Sequence, residues 1–115
     1  MSKLLLEKIG KVGTGYNALF HFTAAGLEGG KLSIFDDYIE FKLMWLKKTL
    51  MISDIDFVEI RAKYDFWFAH HANTWRFLSF WCQPQDRDEI INILQSLQIQ
   101  IKEEEDQKMK LSPYS

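Results

Sequence analysis

Six strand-like runs follow one another between Gly29 and Cys82, and a single amphipathic helix comes after them. Consecutive strands joined by short turns favour antiparallel pairing, because neighbouring antiparallel strands need only a tight connection. With an earlier run at Tyr16–Thr23, the predicted strands number seven. A sheet of this size needs a further element to cover its apolar face, and one C-terminal helix can do so. The order of elements therefore predicts a mainly β domain, a β-sandwich or partly open barrel closed by one C-terminal α-helix.

The strand predictions rest on alternating apolar and polar residues, which place every second side chain on the same face. In the run Tyr38–Leu43, for example, this alternation directs Ile39 and Phe41 inwards. Turns are expected at Asp36-Asp37, around Trp45-Leu46 and at Ala72-Asn73. The seven predicted strands are Tyr16–Thr23, Lys31–Phe35, Tyr38–Leu43, Lys48–Ile52, Phe57–Ala62, Tyr64–His71 and Thr74–Cys82.

Helices are predicted on both sides of the run of strands. Residues 3–12 place Leu5, Ile9 and Val12 on one helical face, which predicts a short amphipathic lead-in. The C-terminal helix is predicted to begin after Pro84, with a capping box and an apolar stripe at helical spacing. The capping pair is Asp86 and Glu89, and the stripe consists of Ile90, Leu94, Leu97 and Ile101. This predicts a lead-in over 1–15, a domain over 16–101 and a charged, flexible tail over 102–115.

Composition bounds the classes of function. The chain has 14 Lys and Arg against 16 Asp and Glu, a formal net charge of −2. A general nucleic-acid-binding protein carries a basic excess, so nucleic acid is not an expected partner. The single Cys82 ends an apolar strand and is predicted to be a buried structural thiol, which fits a reducing compartment. Without a recognisable signal peptide or membrane-spanning run, a cytoplasmic location is expected.

Seven strands closed by a C-terminal helix resemble the pleckstrin-homology-like fold, and the local sequence is similar to its bacterial and GRAM-type branch. The resemblance covers about residues 16–101. It implies a non-catalytic binding domain. The residues that carry it are Gly30-Lys31-Leu32-Ser33-Ile34, Asp36-Asp37-Tyr38-Ile39-Glu40-Phe41 and Ile52-Ser53-Asp54-Ile55-Asp56-Phe57-Val58-Glu59-Ile60.

Lipid-binding members of that fold use clustered Lys and Arg in the loop between the first two strands, because several cations converge on headgroup phosphates. In this chain the loop spans residues 24–30 and holds one acid and no cation, which argues against phosphoinositide recognition. A peripheral membrane or lipid-binding module remains an alternative, through residues 3–12 and Lys47-Lys48. The two lysines are adjacent on a strand and are expected to point to opposite faces.

The run from residue 64 to residue 82 is the most unusual in composition, with eight aromatic side chains spread over both faces of two strands. One interpretation is that both faces are buried, under the sheet core and the helix. The other is an exposed aromatic patch of the kind that anchors protein interfaces. We favour a protein–protein interaction module, with self-association as a homo-oligomer among its forms. Its candidate interaction surface consists of Tyr38, Trp45, Tyr64, Trp67, Trp75 and Trp81.

A small-ligand-binding or enzymatic domain using His21, His70 and His71 is a further alternative. His70 and His71 are adjacent on a strand, so at most one of them could bind a given ion, and no metal-binding spacing accompanies them. The carboxylates at Asp36-Asp37 are explained by turn chemistry. We therefore predict no catalytic residues, no metal and no cofactor.

Overall fold

A computed structural model describes residues 2–17, 20–23, 30–43, 46–72 and 77–103, without the side chains of residues 14–17, 20–23, 46 and 77. The described residues form nine strands and one α-helix. Short 3₁₀ turns at Ile52–Asp54 and Pro84–Asp86 precede the sixth strand and the helix. The elements are β1 Leu4–Asn17, β2 Phe20–Thr23, β3 Gly30–Phe35, β4 Tyr38–Leu43, β5 Leu46–Met51, β6 Ile55–Arg61, β7 Asp65–His70, β8 Phe77–Trp81, α1 Arg87–Ser96 and β9 Ile101–Glu103.

The long strand β1 belongs to two sheets. Its first half pairs with β3, which continues through β4 to β5 and makes the first sheet. Its second half pairs with β2 on one edge and with β8 on the other, and β8 continues through β7 and β6 to β9. Every pairing is antiparallel except that of β6 with β9. Among the described residues β5 and β9 do not pair, so the strands do not form a closed barrel.

Two glycines mark the point where β1 passes from the first sheet to the second. Gly10 is the last residue of β1 that pairs with β3, and its partner is Gly30. A Cβ atom on Gly10 would lie 2.7 Å from the Cζ atom of Phe80 and would clash with the carbonyl oxygen of Trp81. On Gly30 it would lie 3.0 Å from the backbone nitrogen of Val12. Only residues without a side chain allow the strands to approach this closely.

The apolar core lies between the two sheets and is completed by α1. The ring of Phe41 from the first sheet meets the ring of Phe68 from the second edge to face, with centroids 5.0 Å apart. Ile90 and Leu94 of α1 are fully buried against these layers. The predicted inward positions on the central strands are confirmed, with Leu32, Ile34, Ile39, Phe41, Leu50, Val58 and Ile60 all buried.

The prediction of a mainly β domain followed by one C-terminal helix is therefore confirmed, whereas seven strands are not: the described residues form nine. The turn at Asp36-Asp37 is also confirmed, because Ile34 pairs with Ile39 across it. The predicted turn residues Trp45 and Asn73 lie outside the described residues.

The predicted helix over residues 3–12 is wrong, since this segment is the first half of β1. Leu6 and Val12 are buried while Ile9 is 65% exposed, which is the alternation of a strand rather than the stripe of a helix. The predicted strand Tyr16–Thr23 is likewise divided between β1 and β2, and Asn17 pairs with Phe20. Pairing with β3 and β8 supplies hydrogen bonds that the local sequence pattern cannot reveal.

The C-terminal helix is shorter than predicted. It ends at Ser96, and Ile101 lies in β9 rather than on the helical stripe. Gln98 adopts a left-handed conformation with φ of 65°, and the amide of Ile99 donates to the carbonyl of Leu94. This hydrogen bond and the left-handed residue before it form a Schellman-type helix ending, in which Gln98 takes the position that glycine usually occupies.

The predicted capping box does not form, because the side chain of Asp86 makes no hydrogen bond to the backbone of the helix. Its carboxylate lies 3.3 Å from the Nζ atom of Lys8 on β1, and that of Glu89 lies 2.8 Å from the same atom. The two acids hold the start of α1 against the sheet, so a long-range contact replaces the predicted local one.

Candidate interaction surface

The structure places two of the six candidate residues on one face. Trp67 of β7 and Trp81 of β8 both lie on the outer face of the second sheet, opposite the buried Phe66 and Phe80. For the described side chains this agrees with the predicted division, because Phe66 and Phe68 lie opposite Trp67 and Phe80 lies opposite Trp81. Trp45 and Trp75 lie outside the described residues.

The other two candidates lie elsewhere. Tyr64 is half-buried in the turn between β6 and β7 and packs against the core. Tyr38 is on the outer face of the first sheet, where its ring stacks on Phe35 with centroids 4.5 Å apart. Its cross-strand neighbour is Met51, and Phe35 pairs with Leu4, so these residues form an apolar row across four strands. The structure therefore separates Tyr38 from the two tryptophans.

Trp67, Trp81, Asp65 and Lys11 form what we call the tryptophan face. Trp81 is 42% exposed and pairs with Lys11 of β1 on one side and with Asp65 of β7 on the other. The indole Nε1 of Trp67 donates a hydrogen bond of 2.6 Å to the carboxylate of Asp65. Asp65 thus fixes one indole and lies beside the other.

Two charged residues of β6 hold Trp67 from its other side. The guanidinium of Arg61 lies over the indole, 3.8 Å from its centroid, which is a cation–π geometry. Arg61 is oriented by Glu59, whose carboxylate accepts hydrogen bonds from Nε at 3.1 Å and Nη2 at 3.0 Å. Contacts on both sides therefore fix the position of the ring, and a side chain that is already ordered loses less entropy in an interface.

A cavity of about 190 Å³ lies beside this arrangement. Ala69 of β7 pairs with Phe57 of β6, and its short side chain leaves space between Phe57 and Trp67. That volume is of the size of one large apolar side chain. The lining residues are Phe57, Glu59, Arg61, Trp67, Phe68, Ala69 and Leu78.

Sequence reasoning missed Ile9 as an exposed apolar residue of β1, where it pairs with Lys31 of the first sheet. It lies two residues before Lys11 on β1, and the alternation of the strand puts both on the same side. Its 65% exposure is the largest among the exposed large apolar residues of the described part of the chain. The helical interpretation assigned Ile9 to a buried face, whereas a count of alternate residues from Leu6 to Val12 would have placed it outside.

The two described histidine side chains, those of His70 and His71, have separate partners. His71 is exposed, with Nδ1 2.9 Å from Asp56 and Nε2 3.5 Å from Asp54, so the two carboxylates flank opposite edges of the ring. His70 is half-buried, and its Nδ1 accepts a hydrogen bond from the amide of Ala72. The side chain of His21 is not described. Within the described residues, no cluster of His, Cys, Asp and Glu is placed to hold a metal ion.

The single thiol is buried, as predicted. Cys82 is 2% exposed, and desolvation is the main reason that its pKa is raised from 9.0 to about 11. A thiol with a raised pKa is a poor nucleophile at neutral pH, because the thiolate is the reactive form. Cys82 therefore acts as part of the core.

The two features behind the membrane alternative have different outcomes. Residues 3–12 are a paired strand, so the amphipathic helix that would lie on a bilayer is absent from this segment. Lys47 pairs with Lys42 on the outer face, while Lys48 pairs with Phe41 and points to the opposite side, as expected. Membrane binding itself stays a prediction. In the described ranges, no helix has the length and apolar character to cross a membrane.

A scan against protein-family models finds no match for this chain, and a search of curated proteins finds none either.

Proposed function

We propose that the chain is a non-catalytic, self-associating protein-interaction module whose contact surface is the tryptophan face. The observation that carries this proposal is Trp81, 42% exposed beside a second indole that Asp65 and Arg61 already hold in place. Tryptophan and arginine are enriched among the residues that contribute most to protein interfaces. The cavity beside Trp67 offers space for a side chain of the partner.

We further propose that the architecture is pleckstrin-homology-like, as the sequence resemblance implies. The order of the central strands, β5-β4-β3-β1-β8-β7-β6, supports this. It consists of one four-strand meander and one three-strand meander joined through the first strand, with α1 following the last. On this proposal β2 and β9 are additions to the seven-strand plan.

Sedimentation velocity over a range of protein concentrations tests the proposed association. The wild-type chain should show a concentration-dependent shift towards a dimer. We expect Trp81→Ala to weaken that dimer by about 2 kcal/mol, or roughly thirtyfold in dissociation constant, as for an interface hot spot.

Met51→Ala is a matched control, because Met51 is 44% exposed and lies on the outer face of the first sheet. This variant should associate as the wild type does. A wild-type chain that stays monomeric at millimolar concentration would contradict the proposal. Association that Met51→Ala weakens and Trp81→Ala leaves unchanged would place the contact on the first sheet instead.

A further inference from the structure

The strand β9 fills the outer edge of β6 with only three residues. Ile101, Lys102 and Glu103 pair with Val58, Glu59 and Ile60, respectively, and run parallel to β6. Just before β9, the carbonyl of Gln100 accepts a hydrogen bond of 2.9 Å from the amide of Val58. The edge of β6 therefore takes a short extended segment through backbone hydrogen bonds, which is the geometry of strand addition.

Two side-chain contacts select which segment fits this edge. The ammonium of Lys102 lies 3.9 Å from the ring centroid of Phe57 on β6. The carboxylate of Glu103 lies 2.5 Å from Nη2 of Arg87, which is the first residue of α1. Arg87 is itself held by a hydrogen bond of 2.8 Å from its Nε to the carbonyl of Lys63. A basic residue followed by an acidic residue is thus the pattern that the edge recognises.

The connection between α1 and β9 has the properties of a hinge. Gln98 has a φ of 65°, a left-handed conformation that is unfavourable for a residue with a Cβ atom. An extended conformation at this position would relieve that cost. On its helical side, α1 is anchored independently of β9 by the buried Ile90 and Leu94. Ile99 is buried as well, and its amide donates to the carbonyl of Leu94, so a segment that leaves this chain begins at Ile99. In an exchange, Ile99 of the second copy fills the same place in the core while the helix stays in place.

We propose that the edge of β6 is an interaction site for a second copy of this chain, which inserts its own residues 99–103, with β9 at their end, in place of the resident segment. Each copy donates the segment and accepts that of its partner, so the exchange is reciprocal and closes at two chains. The Lys102 and Glu103 contacts are then made between chains, with Phe57 and Arg87 of the acceptor. The chemistry is unchanged, because the intermolecular contacts are those that the structure contains within one chain.

That the partner is a second copy of this chain rests on the self-association proposed above. The contact through the tryptophan face and the exchange of β9 can nevertheless be refuted separately. The tryptophan face is tested by Trp81→Ala. The exchange is tested by the ion pair between Arg87 and Glu103, which lies on α1 and β9 rather than on that face.

The test uses two full-length variants, Arg87→Glu and Glu103→Arg. Each variant alone places like charges together, both within its own chain and in a dimer of identical chains. When the two are unfolded, mixed in equal amounts and refolded, an exchanged pair restores opposite charges at both sites. We expect native mass spectrometry to show a dimer with one chain of each variant, at least tenfold more abundant than the dimer of either variant alone.

The doubly substituted chain, Arg87→Glu with Glu103→Arg, is the matched control, because it restores the ion pair in cis. It should fold and should show no preference for either single variant. If the single variants do not fold alone, the mixture should regain the circular dichroism of the folded chain. A mixture that behaves as the sum of its two parts, while the doubly substituted chain folds, would overturn the proposal.

Discussion

At the scale of single residues, Gly10 has the most exacting position, because it lies where β1 leaves one sheet for the other. We expect Gly10→Ala to lower the free energy of unfolding by about 3 kcal/mol, since the new methyl group meets backbone that cannot move cheaply. Urea denaturation of the wild type and the variant measures this difference in the free energy of unfolding. Lys11→Ala, at the next and exposed position, should stay within about 0.5 kcal/mol of the wild type. Equal stabilities for the two variants would show that the strands do not approach closely at Gly10.

Residue-scale predictions from the sequence succeeded where alternation alone decides burial. Ile39 and Phe41 are buried as predicted, because both lie on a strand with one polar face. The role of Gly10 could not be foreseen, because residues 3–12 were predicted to be helical rather than part of a strand that joins two sheets. Its true constraint comes from Trp81, which is 71 positions further along the chain by its number in the sequence.

At the scale of elements, the docking of α1 depends on Lys8. The hydrogen bond to Glu89, followed by the contacts with Asp86, raises the pKa of Lys8 above its ordinary value of 10.5. Lys8→Met keeps most of the apolar stem and removes the charge, so we expect a lower urea midpoint at low ionic strength. The difference should shrink at high salt, because the ion pairs are partly exposed and are screened.

Lys42→Met is the control, since Lys42 is exposed and its cross-strand neighbours are Lys31 and Lys47. Removing this charge relieves repulsion between lysines, so the urea midpoint should not fall. Because the folded state holds the proton of Lys8 more tightly, its contribution is complete below pH 10.5 and is lost as the pH rises through the raised pKa. A salt-independent effect of Lys8→Met would mean that the apolar stem, rather than the charge, holds the helix.

Sequence patterns located this helix but not its docking. The apolar spacing of Ile90 and Leu94 predicts the buried face correctly. Asp86 and Glu89 have the spacing of a local cap, and nothing in that spacing shows that both acids bind a lysine of the first strand. The helix also ends before Ile101, because Gln98 takes the left-handed conformation without being a glycine.

At the scale of the whole molecule, the order of the central strands and the C-terminal helix could be predicted from the sequence, because each turn and each alternating run is a local pattern. The path of β1 was not, because its two halves are defined by partners distant in sequence. The same holds for the candidate interaction surface. Alternation along β7 and β8 predicts the face on which each side chain lies. The separation of Tyr38 from Trp67 could not be predicted, because it depends on how the two sheets meet.

The central claim, that the tryptophan face is the contact surface, is tested most directly by ¹⁹F NMR of the chain labelled with 5-fluorotryptophan. The four tryptophans give separate signals, and Trp81→Phe identifies the one of interest. If the chain associates through the tryptophan face, the Trp81 signal shifts as the protein concentration rises from micromolar to millimolar. A Trp81 signal that stays constant over this range, or a shift confined to other tryptophans, would contradict the claim.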